Sequence, residues 1–145
     1  MHRYRGAMTE TASPPPAGER RWRDDLHLAH TIADQIDPLT RAHFGNQDFE
    51  VETKPDLTPV TAADRETERL IRDYLSRART RDSVLGEEFG TTGHSPRQWV
   101  IDPIDGTKNF VRGVPVWATL ISLVEDGEVV VGLASAPALD KRWWA

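Results

Sequence analysis

Residues 99–110 read WVIDPIDGTKNF. Trp99, Val100 and Ile101 form a short apolar run that suits a strand. The strand delivers Asp102 at its end. Pro103 is expected to fix a turn, and Asp105 follows three residues after Asp102. Two carboxylates this close repel each other unless a cation sits between them or one takes a proton. Hard oxygen ligands of this kind suit Mg²⁺, which keeps several waters and shares the rest with a phosphate. The carbonyl of Ile104 lies between the two and can face the same place. Gly106 permits close backbone approach. A helical turn starting at Lys108 would leave the amides of Gly106 and Thr107 as free donors, and such amides bind phosphate oxygens well. The plainer reading is an acidic β-turn with both aspartates solvated.

Upstream lie two further acidic segments. In residues 84–90, VLGEEFG, a strand ends on Gly86 and two glutamates follow at its tip. Glu87 is placed to bind a metal or orient an attacking water; alone, the pair also reads as a solvated loop. In residues 56–64, DLTPVTAAD, Thr61 and Asp64 have the spacing of a capping box at the start of a helix. Leu70, Ile71, Tyr74 and Leu75 form the apolar stripe of that helix to about Arg77. An earlier helix starts near Asp24, with Leu26, Ala29, Ile32, Ala33 and Ile36 at helical spacing, and Pro38 is expected to kink or end it. Residues 51–60, with Pro55 and Pro59, read as strand ends and a loop. Residues 1–21, with three consecutive prolines at 14–16, read as a disordered leader, and Met8 is an alternative start.

Downstream the period changes to that of strands. Residues 83–85 and 98–101 are short strand candidates, and residues 115–125 form a longer one. Asp126-Gly127 is a hairpin signal, with residues 128–136 returning. A turn over 137–141 leads to a last strand at Arg142, Trp143, Trp144 and Ala145. The order predicts an α+β layout, two N-terminal helices packed on a mostly antiparallel sheet over residues 22–145. An unprotected last strand carrying two tryptophans predicts self-association, as a homodimer or larger.

The chain has 145 residues, enough for one domain with a core. A net charge of -5 argues against nucleic acid as a partner and is compatible with a carboxylate site that a cation neutralises. With no cysteine, any metal must be held by oxygen or imidazole. His27, His30, His43 and His94 read as helix or surface residues rather than ligands. No apolar run reaches the ~18 residues of a membrane helix, and the N-terminus has no secretory pattern, so a cytoplasmic, membrane-free location is expected.

Taken together, the three acidic segments resemble the inositol monophosphatase family in order and spacing, over about residues 24–145. The pieces that carry the likeness are Lys54, Asp56-Leu57 and Thr61-Ala62-Ala63-Asp64, then Gly86-Glu87-Glu88, then residues 99–110. The resemblance implies a metal-dependent phosphomonoesterase. It implies Mg²⁺ bound by Glu87, Asp102, Asp105 and the Ile104 carbonyl, with Asp64 in the same carboxylate cluster. Thr107 and Glu87 would act on the attacking water, and Asp105, Gly106 and Thr107 would meet the phosphate. Water would attack the ester in line, with no covalent enzyme intermediate. Lys108 stands where many members carry a second threonine. Residues 110–121, 135–139 and 142–144 look like the actinobacterial histidinol-phosphatase branch, which implies histidinol phosphate as substrate, with inositol phosphate as the alternative. Members of the family continue past this point and draw a further metal-binding aspartate from their C-terminal half. The expectation for these 145 residues is therefore weak metal binding and little turnover. Two other readings stand beside the enzyme: an inactive fold remnant or interaction module, and a simple divalent-cation binder.

Overall fold

A single helix runs through Pro38. The computed structural model describes residues 17–46, 50–55 and 59–145. Helix α1 spans Ala17–Asn46 with Pro38 inside it. It begins ahead of the expected Asp24, and the rest of the expected leader, residues 1–16, lies outside the described residues. Of the two outcomes expected at Pro38, a kink or an end, the helix does not end there. A proline inside a helix forfeits one hydrogen bond, at a cost of roughly 3 kcal/mol. Here both flanks of the proline are fastened. Ile36 and Thr40 are fully buried, Asp37 accepts from Ser135 and Arg142, and Arg41 reaches the carbonyl of Pro137 at 2.6 Å.

Strands β1 (Val51–Thr53) and β2 (Pro59–Thr61) form a small antiparallel pair, and helix α2 (Ala62–Ala78) follows directly. The capping box is present in both directions, Thr61 to the Asp64 amide and Asp64 to the Thr61 amide. The chain then builds β3 (Ser83–Gly86), β4 (Gly90–Thr92), β5 (Arg97–Asp105), the short helix α3 (Thr107–Val111), β6 (Ala118–Glu125) and β7 (Glu128–Ala136). A 3₁₀ turn at Pro137–Leu139 leads into β8 (Lys141–Trp144). Asp126 and Gly127, at φ 51° and 85°, make the tight hairpin turn between β6 and β7.

The sheet order is β4-β3-β5-β6-β7-β8. β3 and β5 run parallel and every other pair is antiparallel, so the α+β reading holds with one parallel pair added. Both long helices lie on one face. Ala29, Ile32, Ala33 and Ile36 of α1 meet Ile71 and Leu75 of α2, over Trp99, Ile101, Ile121, Leu123, Val131 and Leu133 of the sheet. β8 is an edge, and its Trp143 and Trp144 are more than half exposed. Strand β6 starts at Ala118 rather than 115, because the preceding loop bonds back to α3: Val114 donates to the Asn109 carbonyl, and the Asn109 side chain to that of Val116.

At one end of the sheet a buried ion network ties the helices down. Asp25, fully buried on α1, accepts from Arg79 at 2.7 Å and Arg97 at 2.8 Å. Arg97 also meets Asp82 and Glu125, and Trp99 donates to Asp82. Removing the charge from Asp25 would strand Arg79, which is mostly covered, and would leave Arg97 to Asp82 and Glu125 alone. Asp25→Asn should therefore lower unfolding stability by about 3 kcal/mol, read as a fall in the urea midpoint. Breaking the exposed His43–Glu66 pair with Glu66→Gln should change it by less than about 1 kcal/mol.

Candidate active site

Because β3 and β5 are parallel, both run out on the same side of the sheet. Gly86 stands beside Ile101, so the next residues, Glu87 and Asp102, are neighbours at the two tips. The Glu87 amide donates to the Ile101 carbonyl.

Beyond Asp102 the strand does not turn, as the proline suggested. It continues to Asp105 through a bulge. Asp102 faces Leu120 and Asp105 faces Ala118, so three steps on β5 match two on β6. In a regular strand, residues three apart point to opposite faces. The extra residue restores them to one side. Pro103 tolerates this place because it has no N–H to lose from the ladder, and its carbonyl accepts from Thr119 at 2.8 Å.

Gly106 then takes φ 87°, a left-handed conformation that side chains disfavour. A Cβ there would also stand 3.1 Å from the Val116 carbonyl. The Gly106 carbonyl opens α3, accepting from Asn109 and Phe110. The helix starts at Thr107, one residue before the expected Lys108. Amides in the first turn have no partner within a helix. Phe110 and Trp117 pack edge to face at 5.0 Å, with Ala63, Ile104 and Phe44 around them, and hold this turn from below.

These elements enclose an open cleft of about 220 Å³ lined by Glu87, Asp102, Ile104, Asp105, Gly106, Thr107 and Lys108. Six of the residues singled out in the sequence thus come together. Asp64 sits behind them. Its Oδ2 accepts the amide and hydroxyl of Thr61 at 2.8 and 2.6 Å, and its Oδ1 accepts the Thr107 hydroxyl at 3.1 Å. Asp64 is therefore both the helix cap and the backing of Thr107. Among the described residues, no histidine lines the cleft. Among the described residues, no group of three carboxylates closes to metal-binding geometry.

The electrostatics are those of crowded acids. Asp102 is raised to about 8, first by burial, then by the hydrogen bond and charge of Glu87 and the charge of Asp105. Its Oδ1 is buried without a partner. Burial also raises Asp64 and Glu88 above the usual carboxylate range. Lys54 bridges Glu87 at 3.1 Å and Glu88 at 2.8 Å. Lys54 was legible only as a motif residue, since nothing in its own segment fixes its distance to the glutamates. Lys108 was expected near the site only as a departure from the pattern, and its place on the cleft wall comes from α3. An unpartnered carboxylate oxygen among three acids, with no sulfur and no imidazole, fits a hard divalent cation.

A family model described as the inositol monophosphatase family matches residues 22–145. A histidinol-phosphatase of Streptomyces coelicolor is 65% identical over 126 residues, and one of Mycobacterium tuberculosis is 63% identical over 123. Each match covers 84% of this chain and 47% of the relative, so the chain spans about half the length of these curated relatives. Among solved structures, the extragenic suppressor protein suhB of Bartonella henselae superposes with a TM-score of 0.80 at 30% identity, over 84% of this chain and 48% of that one. The match over residues 22–145, on a fold that shares half of that known structure, establishes that the chain belongs to the inositol monophosphatase family.

Proposed function

We propose that the cleft is the metal and phosphate site of a phosphomonoesterase that acts on L-histidinol phosphate in histidine biosynthesis. The observation that carries this is the meeting of Glu87, Asp102 and Asp105 beside the first turn of α3, with one Asp102 oxygen unpartnered. The family is metal-dependent, and the oxygen-only donor set favours Mg²⁺. Glu87, Asp102, Asp105 and the Ile104 carbonyl would hold it. When bound, the metal would lower the pKa of a coordinated water and offset charge on the phosphate.

The remaining work falls to this chain's own groups. The amides of Gly106 and Thr107 would donate to phosphate oxygens, and the left-handed Gly106 lets the ester come close to the backbone. The Thr107 hydroxyl, donating toward Asp64 and the Ile104 carbonyl, keeps lone pairs free to accept from a water. Glu87, across the cleft, would accept that water's other proton. Water would then attack phosphorus, the ester oxygen would leave as the alcohol after taking a proton from solvent, and no group of the protein would become phosphorylated. The choice of histidinol phosphate over an inositol phosphate rests on the two relatives above 60% identity.

Three measurements test this reading. Calorimetry of the chain with Mg²⁺ should show tighter binding when inorganic phosphate is present, by about fivefold or more; independence of the two would reduce the site to a plain cation binder. Joined to the C-terminal half of the Streptomyces coelicolor relative, the chain should release phosphate from L-histidinol phosphate at least about tenfold faster than from inositol 1-phosphate, a gap of roughly 1.4 kcal/mol in the barrier. Equal rates would remove the substrate assignment. The third concerns pH. Asp102 ionises near its ordinary value when unfolded and at about 8 when folded. Between those values the folded chain binds more protons, so its stability falls as pH rises through that window. Without metal, Asp102→Asn should flatten that fall in melting temperature and cancel the rise that Mg²⁺ produces in the parent. A parent melting temperature that climbs from pH 4 to 8, with Asp102→Asn unchanged from it, would show that Asp102 is not a crowded acid.

A further inference from the structure

Glu68 is a charged side chain with no solvent exposure, and it does not face the cleft. It lies on α2, one turn past Asp64. Its Oε2 accepts the Glu88 amide at 2.6 Å, and its Oε1 accepts the Phe89 amide at 3.1 Å. Arg72, the next turn along, donates from Nε to Oε1 at 2.8 Å. Arg72 continues to the Gly90 carbonyl and to the Thr92 hydroxyl at 2.9 Å. The turn that joins β3 to β4 is therefore held at two amides and on its returning strand. Gly86 is the gap through which this happens. A Cβ on it would overlap the Glu68 carboxylate and stand 2.8 Å from the Arg72 guanidinium.

Burying a carboxylate costs several kcal/mol unless it is paired and fully bonded. Here the bonds go to the two backbone amides that directly follow one functional position. Glu87 itself is 44% exposed in its side chain, so packing does little to hold it. Its place is set by where the backbone of the turn lies. We propose that Glu68 is a positioning residue for Glu87, and that α2 acts as a ruler across the site. Asp64 fixes Thr107 on the β5 side, while Glu68 fixes the turn on the β3 side. The two carboxylates are four residues apart on one helix face, a rise of roughly 6 Å. The gap between Glu87 and the Asp102–Thr107 wall then follows from the pitch of one helix. This inference rests on the reading of Glu87 as a metal ligand.

The test uses the full chain and Mg²⁺ alone. Glu68→Gln keeps the size but turns an NH₂ group either toward the Glu88 amide or toward the Phe89 amide and Arg72. Arg72→Gln is the milder variant and relaxes the same clamp. Both should weaken Mg²⁺ binding in calorimetry, by at least about tenfold and severalfold respectively, and both should move the amide proton resonances of Glu88 and Phe89 upfield. Asp25→Asn, destabilised at the far end of the sheet, should keep the parental Mg²⁺ affinity and amide positions. Unchanged Mg²⁺ affinity in the folded Glu68 and Arg72 variants would overturn the positioning role, and so would an equal loss in Asp25→Asn. Amide resonances that stay in place would overturn the clamp itself. If the parent chain binds no Mg²⁺, the ligand reading of Glu87 fails and the positioning role with it, while the amide shifts still decide whether the clamp exists.

Discussion

Parallel strands end on the same side, and the site depends on that fact. Only one pair in the sheet, β3 with β5, is parallel. Were it antiparallel, Glu87 would leave the sheet at the end opposite Asp102. The connection that makes the pair parallel passes through the β4 hairpin and the loop at Gly93, and Gly93 itself takes φ 79°. The two helices cover the face beneath, so the tips project from a stiff layer rather than from a free loop. Rigid elements place reacting groups better than loops do.

The two ends of the sheet carry opposite electrostatic solutions. At the Asp25 end every buried acid has a cation: Arg79 and Arg97 satisfy Asp25, and Arg97 also serves Asp82 and Glu125. At the cleft end, among the described residues, Lys54 pairs with Glu87 and Glu88, and no ion pair reaches Asp102 or Asp105. The first arrangement stabilises the fold with nothing added. The second raises Asp102 well above the usual carboxylate range and leaves it an oxygen that has no donor. Crowding of this kind is tolerated only because the first end and the apolar core supply the stability that the cleft withholds.

Local chemistry was legible in the sequence, and long-range register was not. The capping box at Thr61 and Asp64, the Asp126-Gly127 hairpin and the strand at Trp99 each follow from residues within four positions of one another. Pro38 misled because its cost is local while its compensation comes from Ser135, Pro137 and Arg142, about a hundred residues away. Strand β4 went unseen, since Gly90-Thr91-Thr92 has no apolar pattern and exists by pairing with β3. Asp102 and Asp105 were read as partners from their closeness, yet it is the bulge against Leu120 and Ala118 that puts them on one side. Glu68 carried no signal at all. In the sequence it is one more acid on a polar helix, and only the fold turns it beneath Gly86.

The same distinction bears on how the site gains its affinity. Glu87, Asp102 and Asp105 arrive on two strand tips, and Thr107 on a third element. Each is fixed by a neighbour that does not itself face the cleft: the Ile101 carbonyl for Glu87, the Thr119 hydroxyl behind Pro103, Asp64 for Thr107. Ordering those groups costs entropy during folding, before any ion arrives. On the proposed reading, a cation would meet acids already brought to one cleft, and part of its binding energy would go into relieving their repulsion. Phosphate would gain in turn, because a cation between the anion and the acids would offset their repulsion. The amides of Gly106 and Thr107 alone would not overcome that repulsion, and on that reading metal and phosphate would favour each other.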